Sequence, residues 1–133
     1  MRLLSPRPSR AAQALFARAC VEAAALSFAV GVEHLVLACA IEGDLGLDPA
    51  DIRERIAEDE REALASIGIS RDAVREELEG RFEDVCGLPV TPEAKRMLEL
   101  ATRRRRHVTA EQLLATLEQH SHTARRLLRD LRR

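Results

Sequence analysis

An all-helical fold built from two related halves is the architecture this sequence predicts, and three observations lead to it. The chain of 133 residues is 46% hydrophobic yet only 2% aromatic, with no Trp or Tyr, so its core must be assembled from Leu, Ala, Val and Ile. Such alanine- and leucine-rich, heavily charged composition favours helices. No stretch alternates apolar and polar residues with period two, whereas spacings of three and four recur along the chain, so no sheet is expected. Finally, Val30-Gly31-Val32-Glu33-His34-Leu35-Val36 returns in altered form as Val108-Thr109-Ala110-Glu111-Gln112-Leu113-Leu114.

The flanks of that repeat recur as well, in the same order. Ser9, Ala12, Leu15, Phe16 and Ala19 match Thr91, Ala94, Met97, Leu98 and Ala101, and downstream Leu64 and Ile67 match Leu128 and Leu131. The changes of offset place an insertion after Glu42 in the first copy. The expected organisation is a flexible arm over 1–8 followed by one domain over 9–133. Within it, repeat one covers 9–83, a linker 84–90 and repeat two 91–133, related by a pseudo-twofold and giving about seven helices. At this length one domain buries roughly two-thirds of its unfolded surface, enough for a core without staples.

Taken in order, the elements are signalled as follows. Two prolines and two arginines leave the first eight residues nothing to pack. Ser9 is the expected N-cap of a first helix to Leu26, with Ala12, Leu15, Phe16, Ala19, Ala23 and Leu26 on its inner stripe. After a short connection at 27–31, a second helix from Val32 to Glu42 is apolar on most of its circumference, which marks a buried, central helix. Asp48-Pro49 is the strongest helix start, a capping acid before proline at the first helical position. The third helix should bury Ile52, Ile56, Ala63, Leu64 and Ile67 and stop at Gly68. Ser70 caps a fourth, to about Phe82, burying Ala73, Val74 and Leu78.

Thr91-Pro92 opens the fifth helix, which ends in Arg103 to Arg106. Thr109 and Gln112 have capping-box spacing, so a sixth helix starts there and buries Leu113, Leu114 and Leu117. His120-Ser121-His122 is the last connection, before a seventh helix lined by Ala124, Leu127, Leu128 and Leu131. The chain has nothing after this to supply the second half with a fourth helix. That predicts uncovered apolar surface on the last three helices, and with it a weak homodimer or an obligate partner.

Charge and cysteine usage narrow the function classes. The formal net charge is −1, but residues 1–91 hold 10 basic against 17 acidic side chains and residues 92–133 hold 11 against 5. Cys20, Cys39 and Cys86 have neither disulfide nor zinc spacing and read as buried small hydrophobes in a reducing compartment. The prolines at 6 and 8 interrupt the N-terminus before a signal-peptide core develops, and the apolar run from Ala23 to Val32 is too short for a bilayer. A cytoplasmic protein with no membrane contact is expected. No Ser/His/Asp or Cys/His arrangement and no metal-ligand set stands out, so no enzyme, metal or cofactor is expected; His34 reads as structural, and His120 and His122 lack further ligands.

These residues carry a resemblance. Gly31-Val-Glu-His-Leu35 is similar to the Gly-Thr-Glu-His-Leu signature, and Leu88-Pro-Val-Thr-Pro-Glu-Ala-Lys-Arg-Met-Leu-Glu-Leu-Ala101 to the start of the second repeat, of the Clp N-terminal domain. The likeness runs from Ser9 to Leu131 and includes the segment Leu64 to Val74. The family's domain sits on ClpA-, ClpB- and ClpC-type AAA+ unfoldases and receives substrates or adaptors without nucleotide chemistry. The absence of a Gly-x-x-x-x-Gly-Lys-Ser/Thr loop agrees with that role. The resemblance implies a stand-alone, non-catalytic module that binds clients, adaptors or small ligands of a Clp-type system and delivers or sequesters them.

Its implied contact residues are Glu33 and Glu111, the helix starts at Ser9 and Thr91, and a groove between the halves near Phe82 and Lys95. In ClpC-type members acids like Glu33 and Glu111 help recognise phosphoarginine, pairing with the guanidinium. Here the signature threonine is Val32 and Ala110, and an acid, Glu93, follows Thr91-Pro92, so phosphoarginine binding is expected to be weak or lost. The alternative function is a small helical DNA-binding regulator using Arg103 to Arg106. Four consecutive arginines point around a helix rather than along one face, and no aromatic side chain interleaves with them, so nucleic acid is not the expected partner.

Overall fold

The computed structural model describes residues 10–27, 29–66, 88–104 and 108–132. Among these it holds six helices: α1 (Arg10–Leu26), α2 (Val32–Glu42), α3 (Pro49–Ala65), α4 (Pro92–Arg104), α5 (Ala110–His120) and α6 (His122–Leu131). The expected helix over 70–82, the N-cap at Ser9, the stop at Gly68 and the N-terminal arm lie outside the described residues, as do Ile67 and Cys86. The all-helical class stands for what is described.

Helix α2 is the hub. It packs against every other described helix, and Leu35, Val36, Leu37, Ala38 and Cys39 are fully buried. A helix with no polar face cannot lie on a surface, so its composition forces the other five around it. Each large aliphatic side chain so buried contributes about 1.5–3 kcal/mol relative to exposure. Cys39 inside this packing is a free thiol, and burial pushes its pKa up to about 12. Such a thiol is inert at neutral pH.

The helices on the outside bury the stripes that their spacing marks. Ala12, Leu15, Ala19 and Ala23 of α1, Ala94, Met97 and Ala101 of α4, Leu113, Leu114 and Leu117 of α5, and Ala124, Leu127 and Leu128 of α6 all enter one core. Phe16, Leu98 and Leu131 pack against its edge, half-buried. Helix α3 departs from expectation. Ile52 and Ile56 are buried, but Leu64 is half-buried and Ala63 exposed, because the C-terminal part of α3 borders a cleft instead of packing flat on the core. Uncovered apolar surface on the last three helices is also corrected: among the described residues only Val21, on α1, is a large hydrophobic side chain left exposed. Leu98, Leu100 and Leu131 fold their apolar atoms against the core edge instead, so the argument for a homodimer from bare surface loses its premise.

Helix starts follow local chemistry. Asp48 accepts from the Ala50 N–H at 2.9 Å, with Pro49 in the first turn. Thr91 accepts from the Ala94 N–H at 3.2 Å. Thr109 and Gln112 form a full capping box, each side chain accepting the other's backbone N–H at 3.1 Å. Ser121 does two jobs: its backbone N–H bonds Leu117 to close α5, and its hydroxyl accepts from Ala124 to open α6. A one-residue corner therefore separates the two helices.

Two details fix how the elements sit. Val30 and Val90 form an isolated parallel β-bridge, in which the Val30 N–H donates to Pro89 at 2.8 Å and the Thr91 N–H to Val30 at 2.9 Å. This ties the entry of α2 to the entry of α4. At the other end of α2, a Cβ on Gly43 would stand 2.8 Å from the Ala110 Cβ. Glycine there lets the end of α2 meet the start of α5 closely.

Candidate functional site

Gly31, Glu33 and His34, the heart of the repeated stretch, form the first turn of α2, and each does something different. The Gly31 N–H donates to His34 Nδ1 at 2.9 Å, and His34 Nε2 lies 2.7 Å from the Ser27 hydroxyl. A backbone N–H can only donate, so Nδ1 is the bare nitrogen and Nε2 carries the proton towards Ser27. His34 is 1% exposed. Burial lowers its pKa to about 4, although the charge of Glu22 pulls the other way. A second ring proton would also face the Gly31 N–H. His34 is thus neutral and caps the helix, in keeping with the structural role read from the sequence, and its approach of 3.7 Å to Glu33 is not an ion pair.

Glu33 turns outward. Its carboxylate folds over Gly31, where a Cβ would come within 2.6 Å of Oε1, and 36% of its side chain remains exposed. Partial burial raises its pKa first, with repulsion from Glu93 and Asp59 adding to it, while its own backbone N–H works in the opposite direction. A carboxylate that is partly dehydrated and flanked by like charge gains from an approaching cation.

That carboxylate lies on the wall of a cleft of about 590 Å³. One side is α3, contributing Arg55, Asp59, Glu60 and Glu62; the other is the start of α6, contributing His122, Thr123 and Arg126; Ile56 and Leu127 supply apolar lining. The cleft is held in place by Arg55, which donates to Asp130 of α6 at 2.8 Å and to Asp59 one turn along α3 at 3.2 Å. Behind it, Arg53 of α3 pairs with the largely buried Glu22 of α1. The void thus has Asp59, Glu60 and Glu62 beside Arg55 on one wall, Arg126 and His122 on the other and apolar side chains between, within the size range of small-ligand and peptide sites.

The residues expected to make contacts are only partly brought together. Thr91 and Glu93 join Glu33 through the Val30–Val90 bridge, and Glu93 is itself bonded by the Ser121 hydroxyl at 2.9 Å. Lys95 is exposed one turn along α4. Glu111 is exposed at the start of α5, near the far end of α2, and does not line the cleft. Since α2 has 11 residues, the two matching acids stand about 15 Å apart. Ser9 and Phe82 lie outside the described residues, as do Arg105 and Arg106; Arg103 is exposed.

The cleft residues Arg55, Asp59, Thr123 and Arg126 went unmarked in the sequence, and His122 was weighed there only as a metal ligand without partners. They come from helices far apart in the chain, and their only local signal is a charged outer face, which any surface helix has. Among the described residues no group of acids, histidines and cysteines suits a metal, and no helix is long and apolar enough to cross a membrane. No protein-family model matches the chain, and no curated protein matches it.

Proposed function

We propose that this chain is a non-catalytic protein-interaction module of the Clp N-terminal type, two helical repeats related by a pseudo-twofold. It takes substrates, adaptors or small ligands of a Clp-type AAA+ unfoldase and delivers or withholds them. The observation that carries this reading is the cleft with Glu33 on its wall: a void of peptide-binding size, walled by opposite charges over Ile56 and Leu127, with one carboxylate held in surroundings that favour an incoming cation. A basic side chain of a bound segment would relieve the repulsion among Glu33, Asp59 and Glu93, and its apolar neighbours would rest on Ile56 and Leu127. Glu93 beside Glu33 disfavours a phosphate there, so an unmodified basic segment suits the site better than phosphoarginine.

Calorimetric titration of the purified chain with a purified Clp-type unfoldase, with an arginine-bearing peptide and with phosphoarginine tests this. The expected result is binding of the unfoldase or of the peptide, reduced at least tenfold by Glu33→Gln and by Ala63→Trp, which fills the cleft. Phosphoarginine should bind more weakly than the peptide. No binding by the wild type, or binding unchanged in both variants, would overturn the proposal.

A further inference from the structure

Helix α6 is sharply two-sided. Ala124, Leu127 and Leu128 enter the core, while His122, Arg125, Arg126 and Arg129, with Arg132 just beyond the last turn, are all exposed. At 100° per residue these five cationic or titratable positions fall within an arc of about 120°, and Arg125 to Arg132 extend about 10 Å along the axis. The one acid of the helix, Asp130, is turned away to Arg55, and Arg132 is bonded to Glu118 at 2.7 Å. Among the described residues Arg125, Arg126 and Arg129 make no ion pair.

We propose that this face of α6 is a docking surface for the phosphate backbone of a nucleic-acid duplex, bound without base selectivity. The face shares His122 and Arg126 with the rim of the cleft, while Arg125, Arg129 and Arg132 lie outside it, and the proposal does not rest on the peptide-binding reading. Charge complementarity carries it, and the composition of the face selects among polyanions. A protein partner would need an apolar or aromatic anchor, and the only large exposed hydrophobic side chain among the described residues, Val21, is on α1. A membrane surface would need the apolar side of α6, which is in the core. Single strands would need aromatic platforms, and α6 has none. Duplex backbone asks only for cations along one line, which arginine forks engage bidentately.

The test is fluorescence anisotropy of a labelled DNA duplex about 20 base pairs long against the full chain over a series of salt concentrations, with poly-glutamate of similar charge as competitor. Binding should be micromolar at low salt, with log K falling against log salt at a slope of about −3, one unit for each arginine free to meet a phosphate. Arg125→Gln with Arg129→Gln should weaken it at least tenfold and flatten the slope by about two units. Arg10→Gln with Arg61→Gln, which removes the same charge from α1 and α3, should leave it nearly unchanged. Absent binding, equal loss in the two double variants, or displacement by poly-glutamate at the same concentration as by unlabelled duplex would each overturn the proposal, the last in favour of an acidic polypeptide.

Discussion

Helices α2 and α5 begin with the same sequence element and solve the same problem in opposite surroundings. In α5 the cap is a water-facing pair of side chains, Thr109 and Gln112, each satisfying the other's backbone. In α2 the capping residue is Gly31, which has no side chain to offer, so only half of the exchange survives: His34 Nδ1 accepts from the Gly31 N–H and its Nε2–H donates to the Ser27 hydroxyl, all inside the core. The outer cap is replaceable by solvent; the inner one is not. The difference teaches that a repeated motif can keep its backbone role while its energetic weight moves from a surface preference to a buried obligation.

Four experiments would break or sharpen that contrast. The largest effect is expected for His34→Ala, which strands the Gly31 N–H and Ser27 hydroxyl and leaves a cavity, at a cost on the order of 3 kcal/mol in urea denaturation. Gln112→Ala should cost less than ~1 kcal/mol; similar losses at both sites would dissolve the distinction. His34→Gln, which copies the partner motif, should recover part of the loss.

The second concerns pH. The folded pKa of His34, about 4, lies below its unfolded value, so the unfolded chain binds more protons between the two. This part of the stability is complete above about pH 6.5 and drains away as pH falls to about 4, by on the order of 3 kcal/mol. His34→Gln should abolish that slope, and denaturation midpoints that stay level from pH 7 to pH 4 in the wild type would refute the buried neutral ring.

Third, the opposite end of α2 depends on Gly43. Gly43→Ala should cost about 1–3 kcal/mol by pushing α5 off α2, and Ala110→Gly should restore part of it in the double variant. The smallest effect separates the two acids. Glu33 has a raised folded pKa, so its charge subtracts stability above its unfolded pKa and stops doing so as pH falls. Glu33→Gln should therefore stabilise slightly at neutral pH. Glu111→Gln should instead lose a little of the interaction with the start of α5.

Where the determinants were local, the sequence was legible. Asp48-Pro49, Thr91-Pro92 and the Thr109–Gln112 box start helices where their chemistry says, and the apolar circumference of α2 placed it at the centre. Half of a box made from glycine and histidine has no such recognisable form, so the capping role of His34 emerged only with the geometry. Ala63 was misplaced because alanine fits a stripe spacing without requiring burial. The cleft depends on Arg55 meeting Asp130 across 75 positions of sequence and on Glu33 meeting the start of α6, and periodicity within one helix carries no information about such encounters. Glu33 was picked out from its motif; the walls that give it chemical meaning were not.

The Val30–Val90 bridge has a kinetic meaning as well as a geometric one. Its hydrogen bonds close a loop of about sixty residues, an entropic cost that can be met only when the helices on both sides have docked. Neither half can therefore gain this link early by itself, and the chain should fold late and together across it rather than half by half. The amide protons of Val30 and Thr91 should accordingly exchange with deuterium among the slowest in the molecule, at the rate of global opening, while the backbone at Gly46 exchanges freely.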